Sequence, residues 1–526
     1  MVDSFDYVIV GSGSAGGVLA ARLSENPHVS VLLLEAGPED DADEIKMPLA
    51  FSTLFKTKWD WNYQTTPQKQ LGGRRADWPR MKALGGCSAM NAMIYMRGNR
   101  LDYDDWRDGY GATGWGYDDV LPYFRKAESN TRLSGPFHGN DGPLRVEDRR
   151  YNHELSDAFI ASGVSAGLKP NDDFNGESQE GVGRHQVTQK SGKRWSVADA
   201  YIRPSLGRPN LTVRTLAFVE KVVFAGTRAI GVAYTRGGEQ HTVHANAEVI
   251  LSGGSINSPQ LLMLSGVGPG AHLREHGIAV VAESPGVGQN LHDHPVAGFL
   301  AYTKNTTDIA ELVNLRNVAK WTATGRGPIG SNVAEAGAFF ASSDRLAAPD
   351  IQIHMAPTGF YDNGLHEPVR RGVTIAPTLV NVFSRGAITL RSADPHWHPA
   401  IDPAYFDDPR DLDALVAGVR RTGEIIRQGA LAEFIAAPWI PESLDPTVDQ
   451  IIAGIKALTQ TLYHPVGTCA MGSGGDAVVD AELRVNGVEG MRVVDASVMP
   501  VVPRGNTNAP TVMIAEKAAD LIKGAA

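Results

Sequence analysis

The chain has 526 residues, with 49 Lys+Arg against 59 Asp+Glu, 2 cysteines and a formal net charge of −10. That balance excludes a partner that needs a basic face, nucleic acid above all, and 2 cysteines exclude a disulfide framework or a cysteine-built zinc site. With 42% hydrophobic and 21% charged residues, the composition is that of a globular protein of two or three domains.

Residues 6–37 read DYVIVGSGSAGGVLAARLSENPHVSVLLLEAG. Tyr7 to Val10 is a short apolar run, the pattern of a strand buried on both faces. Gly11-x-Gly13-x-x-Gly16 follows, then helical spacing through Val18, Leu19 and Leu23, then a second buried strand from Val29 to Leu34 that ends at Glu35. Gly11 suits the tight turn, Gly13 the close approach of backbone to a pyrophosphate, and Gly16 the packing of helix on sheet. The helix N-terminus adds positive potential for phosphates. Glu35 stands where an acid accepts from ribose hydroxyls. In this context the reading is dinucleotide binding. The same segment runs apolar without a basic leader, so no signal peptide is expected. No run of 18 apolar residues occurs, so no transmembrane helix is expected either. A cytoplasmic protein, attached to a membrane at most peripherally, is the default.

Farther along, residues 80–99 read RMKALGGCSAMNAMIYMRGN, a glycine loop that passes close to something flat or anionic. In AEVILSGGSINSPQLLMLSGVG, residues 247–268, a buried strand meets the Gly253-Gly254 turn and a helix. Residues 285–295, PGVGQNLHDHP, carry His292 and His294 on either side of Asp293. Without an HExxH segment or a second ligand cluster the pair is read as polar surface or loop residues near the cofactor, with no metal expected. From 299 to 454 the dinucleotide signals stop. Alternation over 350–355, 372–376 and 387–391 predicts an antiparallel sheet, with His354 on one face of a strand. Residues 407–428 have helical spacing. Trp59, Trp61 and Tyr63 lie in a loop that either covers a ligand or packs as core aromatics. Near the C-terminus, residues 461–472 read TLYHPVGTCAMG, and residues 492–516 read RVVDASVMPVVPRGNTNAPTVMIAE, a short strand to Asp495 and then a helix from about Pro510.

Taken in this order, the glycine fingerprint with Glu35, the Gly85–Asn91 loop, His138-Gly139-x-x-Gly142-Pro143-Leu144, Gly254-Ser255-x-x-Ser258-Pro259 and the two C-terminal segments resemble the glucose–methanol–choline oxidoreductase family. The likeness covers essentially the whole chain and is strongest to the bacterial choline-dehydrogenase and sorbose-dehydrogenase branch. It implies an α/β protein: a Rossmann-like FAD-binding domain from residues 1–155, 196–298 and 455–526, and an antiparallel-sheet substrate domain from 156–195 and 299–454. The FAD contacts implied are Gly11, Gly13, Ser14, Ala15, Gly16, Glu35, Ala36, Gly86, Ser88, Asn91, Val219, Gly253, Asp495, Ala496, Asn506 and Thr507. Relatives with a covalent flavin carry a histidine where this chain has Met90, so FAD is expected to be bound without a covalent bond. Cys87 is expected to be a small buried side chain near the flavin.

The chemistry the resemblance implies is oxidation of a primary alcohol to an aldehyde. Hydride transfer from the carbinol carbon to flavin N5 requires loss of the hydroxyl proton, a held oxygen and positive potential at the flavin's pyrimidine end. His464 is expected as the base and Asn508 as the group holding the substrate oxygen, with the last helix supplying the potential. His354 and Leu462 are expected to line the substrate cavity. No carboxylate cage for a quaternary ammonium is legible, so choline is not favoured. The partner is a small alcohol, with oxygen, a quinone or a cytochrome as electron acceptor. The alternatives are a hydroxynitrile-lyase-type enzyme keeping FAD as structure, and a dinucleotide-binding protein without turnover.

Overall fold

The computed structural model describes residues 3–365 and 370–525. Val8, Ile9, Leu32, Leu33, Val249 and Ile250 are fully shielded from solvent. Strands of this kind need cover on both faces, which parallel pairing with flanking helices provides. Among the described residues they form a seven-stranded sheet in the order Leu211–Arg214, Val31–Leu34, Asp3–Val10, Glu239–Leu251, Arg228–Arg236 and Ala217–Ala225, with Met491–Val493 beside Glu239–Leu251. Pairing is parallel from Leu211–Arg214 to Glu239–Leu251 and on to Met491–Val493. It is antiparallel for the remaining two pairs. Register sets Tyr7 opposite Val31 and Val8 opposite Val249.

The helix Gly16–Leu23 leaves the first strand through the glycine turn and packs on the C-terminal helix Asn508–Ala525. Arg22 donates from Nε and Nη2 to the Glu516 carboxylate at 2.8 Å each, and the Tyr201 hydroxyl donates to it at 2.7 Å. Glu516 is fully buried, so loss of Arg22 would leave an uncompensated charge in the interior. The network ties the first and last helices of the dinucleotide lobe together.

The second lobe is built on an eight-stranded antiparallel sheet, in the order Ile435–Ile440, Phe299–Thr303, Gly372–Leu379, Ile351–Ala356, Ala336–Phe340, Gly181–Arg184, with Pro295–Val296 and Gln460–Thr461 off that path. The helix Pro409–Ile426 covers one face, turning Leu415, Val419, Ile425 and Ile426 inward. Two sequence expectations shift here. The strand near 387–391 pairs as Ala387–Thr389 with Ala400–Asp402 in a separate hairpin, outside the large sheet. Pro295–Val296 and Gln460–Thr461 belong to the substrate-side sheet although they fall just beyond the expected boundaries at 298 and 455. Short strands at a crossover carry too little alternation to be seen in sequence. Among the described residues no helix is long and apolar enough to cross a membrane.

Candidate active site

The two sheets enclose a cavity of about 810 Å³, within the range of cofactor and ligand clefts. One end is a backbone cradle. Gly11 has φ +97°, and a Cβ there would meet the Ser252 carbonyl oxygen at 2.4 Å. A Cβ on Gly86 would lie 2.6 Å from the Gly13 Cα, so these loops touch backbone to backbone. Only glycines allow that approach, and it opens a groove in front of the N-terminus of Gly16–Leu23, where a helix end attracts phosphate. Glu35 closes the groove. Its carboxylate accepts from Ser12 N at 3.0 Å, Ser12 Oγ at 2.6 Å and Gly37 N at 2.8 Å. Burial raises its pKa against those bonds. A glycine groove with an acid at its far end fits the pyrophosphate and ribose of a dinucleotide such as FAD.

Behind the Gly86–Ala89 turn lies a cation that sequence reading missed. Arg194 is 1% exposed. It donates to the carbonyls of Ile45 at 2.8 Å and Asn91 at 2.7 Å and to Asn91 Oδ1 at 3.0 Å. Among the described residues no carboxylate hydrogen-bonds to it, and burial brings its pKa down to about 9 against the more distant Asp199 and Asp40. Arg194 therefore fixes the loop that forms the cavity floor.

At the other end stands His464, 8% exposed. Its backbone N–H donates to Asp293 Oδ1 at 2.7 Å, and Tyr405 donates its hydroxyl to the other carboxylate oxygen at 2.5 Å. The imidazole Nδ1 lies 3.0 Å from His294 Nδ1, and Nε2 lies 3.3 Å from Asn506 Nδ2. Burial, then the neighbouring His294, His354 and Arg80, hold its pKa well below the usual histidine value. The ring is neutral at pH 7, the form that accepts a proton. Tyr463, the residue before it, has φ +69°, a strained backbone of the kind found where a side chain must be aimed.

Of the expected residues, Gly11, Gly13, Ser14, Ala15, Glu35, Ala36, Gly86, Asn91, Val219, Gly253, Asp495, Ala496, Asn506, Thr507, Asn508, His354, Leu462 and His464 all line this one cavity. Gly16 and Ser88 do not. Gly16 packs against the Gly11 carbonyl, and the Ser88 hydroxyl turns inward to Gly85 O at 2.6 Å. The two asparagines stand in exchanged positions. Asn506, expected against the cofactor, is the one beside His464, whereas the Asn508 carboxamide accepts from Ser14 Oγ at 2.8 Å on the glycine loop. Asn508 is already the first residue of the last helix, and that turn swings its side chain toward the glycine loop. His292 and His294 are not surface residues: both are fully buried. The His292 ring bridges Asn290 O at 2.7 Å and Val502 N at 2.9 Å, while His294 backs the His464 ring. Cys87 is partly buried and lines the cavity, its Sγ 3.9 Å from Arg80 Nη1. Trp61 and Tyr63 stack on each other at 5.9 Å and also line it. Among the described residues no group of three or more His, Cys, Asp or Glu is arranged to hold a metal.

The sequence and the fold both recur among known proteins. The GMC oxidoreductase family matches residues 5–296 and again 382–515. The chain belongs to the GMC oxidoreductase family. It is similar to an alcohol dehydrogenase [acceptor] of Pseudomonas putida, 43% identical over 98% of this chain and 95% of that protein. It is likewise similar to the mitochondrial choline dehydrogenase of Mus musculus, 44% identical over 99% of this chain and 90% of that one. Among solved structures, pyridoxine 4-oxidase from Mesorbium loti superposes with a TM-score of 0.91 at 30% identity, covering 99% of both chains. A variant of Aspergillus oryzae formate oxidase, studied for its FAD modification, gives 0.93 at 28%, covering 99% of this chain and 98% of that one. As a GMC oxidoreductase the chain has the flavoprotein fold expected of it, and the glycine cradle has the chemistry that suits a dinucleotide.

Proposed function

We propose that this GMC oxidoreductase oxidises a primary alcohol to the aldehyde, with FAD held non-covalently in the glycine cradle. The observation that carries the reading is the neutral His464 imidazole between His294 and Asn506, inside the cavity the cradle opens into. FAD, when bound, supplies the hydride acceptor.

His464 and His294 face each other through Nδ1, so only one of those nitrogens carries hydrogen. With the hydrogen on His464 Nδ1, His294 Nδ1 accepts it and the His464 Nε2 lone pair is free toward the cavity. Nε2 then takes the hydroxyl proton of the alcohol. Asn506, whose Nδ2 is beside that nitrogen, donates to the substrate oxygen as negative charge builds on it. The N-terminal end of Asn508–Ala525 adds positive potential at the same wall. Glu35 would hold the ribose hydroxyls of FAD, and Gly13 and Gly86 would leave room for its pyrophosphate. Met90 lines the cavity, and a thioether cannot form a histidyl link. Oxygen, a quinone or a cytochrome serves as the final electron acceptor.

An anaerobic titration tests this reading. Purified yellow protein mixed with a primary alcohol loses its flavin colour and releases one equivalent of aldehyde. A flavin that no alcohol bleaches contradicts it and fits the lyase type instead.

A further inference from the structure

The backbone that carries Asn506 is anchored on both sides. Arg504 N donates to Asp102 Oδ2 at 2.7 Å, and the Arg504 guanidinium pairs with the same carboxylate. Gln179 donates to the Arg504 carbonyl, and Val502 N donates to His292 Nε2 at 2.9 Å. These contacts leave one thing open, the way the Asn506 carboxamide faces. Its two ends are alike in size and opposite in character, since Nδ2 donates and Oδ1 accepts. With Nδ2 toward the cavity, Asn506 is a donor both to the His464 Nε2 lone pair and to an oxygen on which negative charge builds. Reversed, it would set oxygen lone pairs against both.

Gln352 decides between the two. It lies on the strand Ile351–Ala356, in which Ile351, Ile353 and Met355 alternate with it. Ile351 packs on Gly418 of the covering helix. Gln352 and His354 therefore share the other face of the strand, and His354 lines the cavity. Gln352 Nε2 donates to Asn506 Oδ1 at 3.3 Å, and Asn506 Nδ2 lies 3.3 Å from His464 Nε2. Donation runs in one direction, from Gln352 to Asn506 to His464. Gln352 is fully buried, and its Oε1 meets no donor among the described residues. A buried amide satisfied at one end only costs stability, so packing does not account for a glutamine at this position.

We infer that Gln352 is a positioning residue: its amide donates to Asn506 Oδ1 and so keeps Asn506 Nδ2 turned to His464 and the substrate oxygen. This rests on the alcohol-oxidation reading and adds to it a residue that does not itself line the cavity. The titratable groups around the Gln352–Asn506 contact are His354 on the same strand, His185 with its ring 5.7 Å from that of His354, His464 and His294 beyond Asn506, and the Arg504–Asp102 pair. Burial holds all four histidines below their ordinary value, and native enzyme measured in parallel carries every one of these groups.

The test is anaerobic stopped-flow reduction of the FAD-loaded native enzyme, Gln352→Met and Gln352→Glu, by whichever of benzyl alcohol, 1-hexanol and choline bleaches native enzyme fastest. Gln352→Met removes the donor at similar volume. It is expected to keep the native melting temperature and flavin content, while the limiting rate of reduction falls about tenfold or more and the apparent Kd of the alcohol stays within about twofold. Gln352→Glu restores a donor while its carboxyl is protonated, the form burial favours. Its limiting rate is expected to exceed that of Gln352→Met about fivefold or more at pH 6, and to fall as pH rises toward about 8.5, because the carboxylate only accepts and draws Asn506 Nδ2 away from His464. A carboxylate acting through its charge alone would raise the His464 pKa and slow reduction on the acid side instead.

Gln352→Met reducing at the native rate overturns the inference. So does Gln352→Glu that is no faster than Gln352→Met at pH 6, or that slows toward low pH. A Gln352→Met protein that melts well below native enzyme or loses its flavin assigns Gln352 a structural role and overturns it too. Native flavin that none of the alcohols bleaches overturns the alcohol-oxidation reading itself, and the inference with it.

Discussion

His464 and His294 meet through their Nδ1 atoms at 3.0 Å, both rings buried and perpendicular at 87°. Such a pair can share only one hydrogen, and its position decides which nitrogen of His464 is a base. His294→Phe keeps a ring in place but removes the acceptor. It is expected to slow alcohol-driven flavin reduction roughly tenfold or more with little change in substrate affinity. Rapid-mixing measurement over a range of alcohol concentrations separates the two effects.

The buried histidines set a pH dependence of stability. Burial brings His185 down to about 4 and His294 down to about 3. It lowers His292, His354 and His464 as well. The unfolded chain, with histidine near 6.5, binds more protons than the folded one below that value. The stability from these groups is complete above about pH 6.5 and declines as pH falls toward the folded pKa values. The melting temperature is expected to fall steadily between pH 7 and pH 5, while the reduction rate by alcohol shows no inflection at 6.5. A rate that halves at pH 6.5 would mean a solvated His464.

Gly86 and Gly13 test the cradle. Gly86→Ala puts a methyl group 2.6 Å from the Gly13 Cα on a backbone at φ +50°. The loops must separate, and the variant is expected to purify without flavin. Gly72→Ala is the control. It has a similar φ of +66° but nothing within 4 Å, so it carries only the local strain of about 1–2 kcal/mol and stays yellow. Absorbance of the purified variants reads the outcome.

Met90 makes a claim about attachment. Precipitating the protein with acid is expected to leave all the flavin in the supernatant, since nothing at position 90 can hold it covalently. Yellow colour in the pellet would contradict that.

Much of the dinucleotide lobe was legible because its signals are local: a strand, a glycine turn and an acid within residues 6–37. The candidate base, His464, was legible as a cavity-lining residue through the segment around it. Its surroundings were not. His294 lies 170 residues away in sequence and Arg194 joins loops 103 residues apart, so no spacing rule connects them. The Asn506 and Asn508 exchange has a different cause. Both fit the motif, and only the start of the helix at Asn508 decides which carboxamide reaches the imidazole.

The central claim is that one buried imidazole takes the proton of the substrate hydroxyl. The direct measurement compares native enzyme with His464→Ala, both loaded with FAD, in anaerobic single-turnover reduction by benzyl alcohol. The account predicts reduction slower by about 10²–10⁴-fold with the flavin content and spectrum unchanged. Reduction of His464→Ala at the native rate would contradict it.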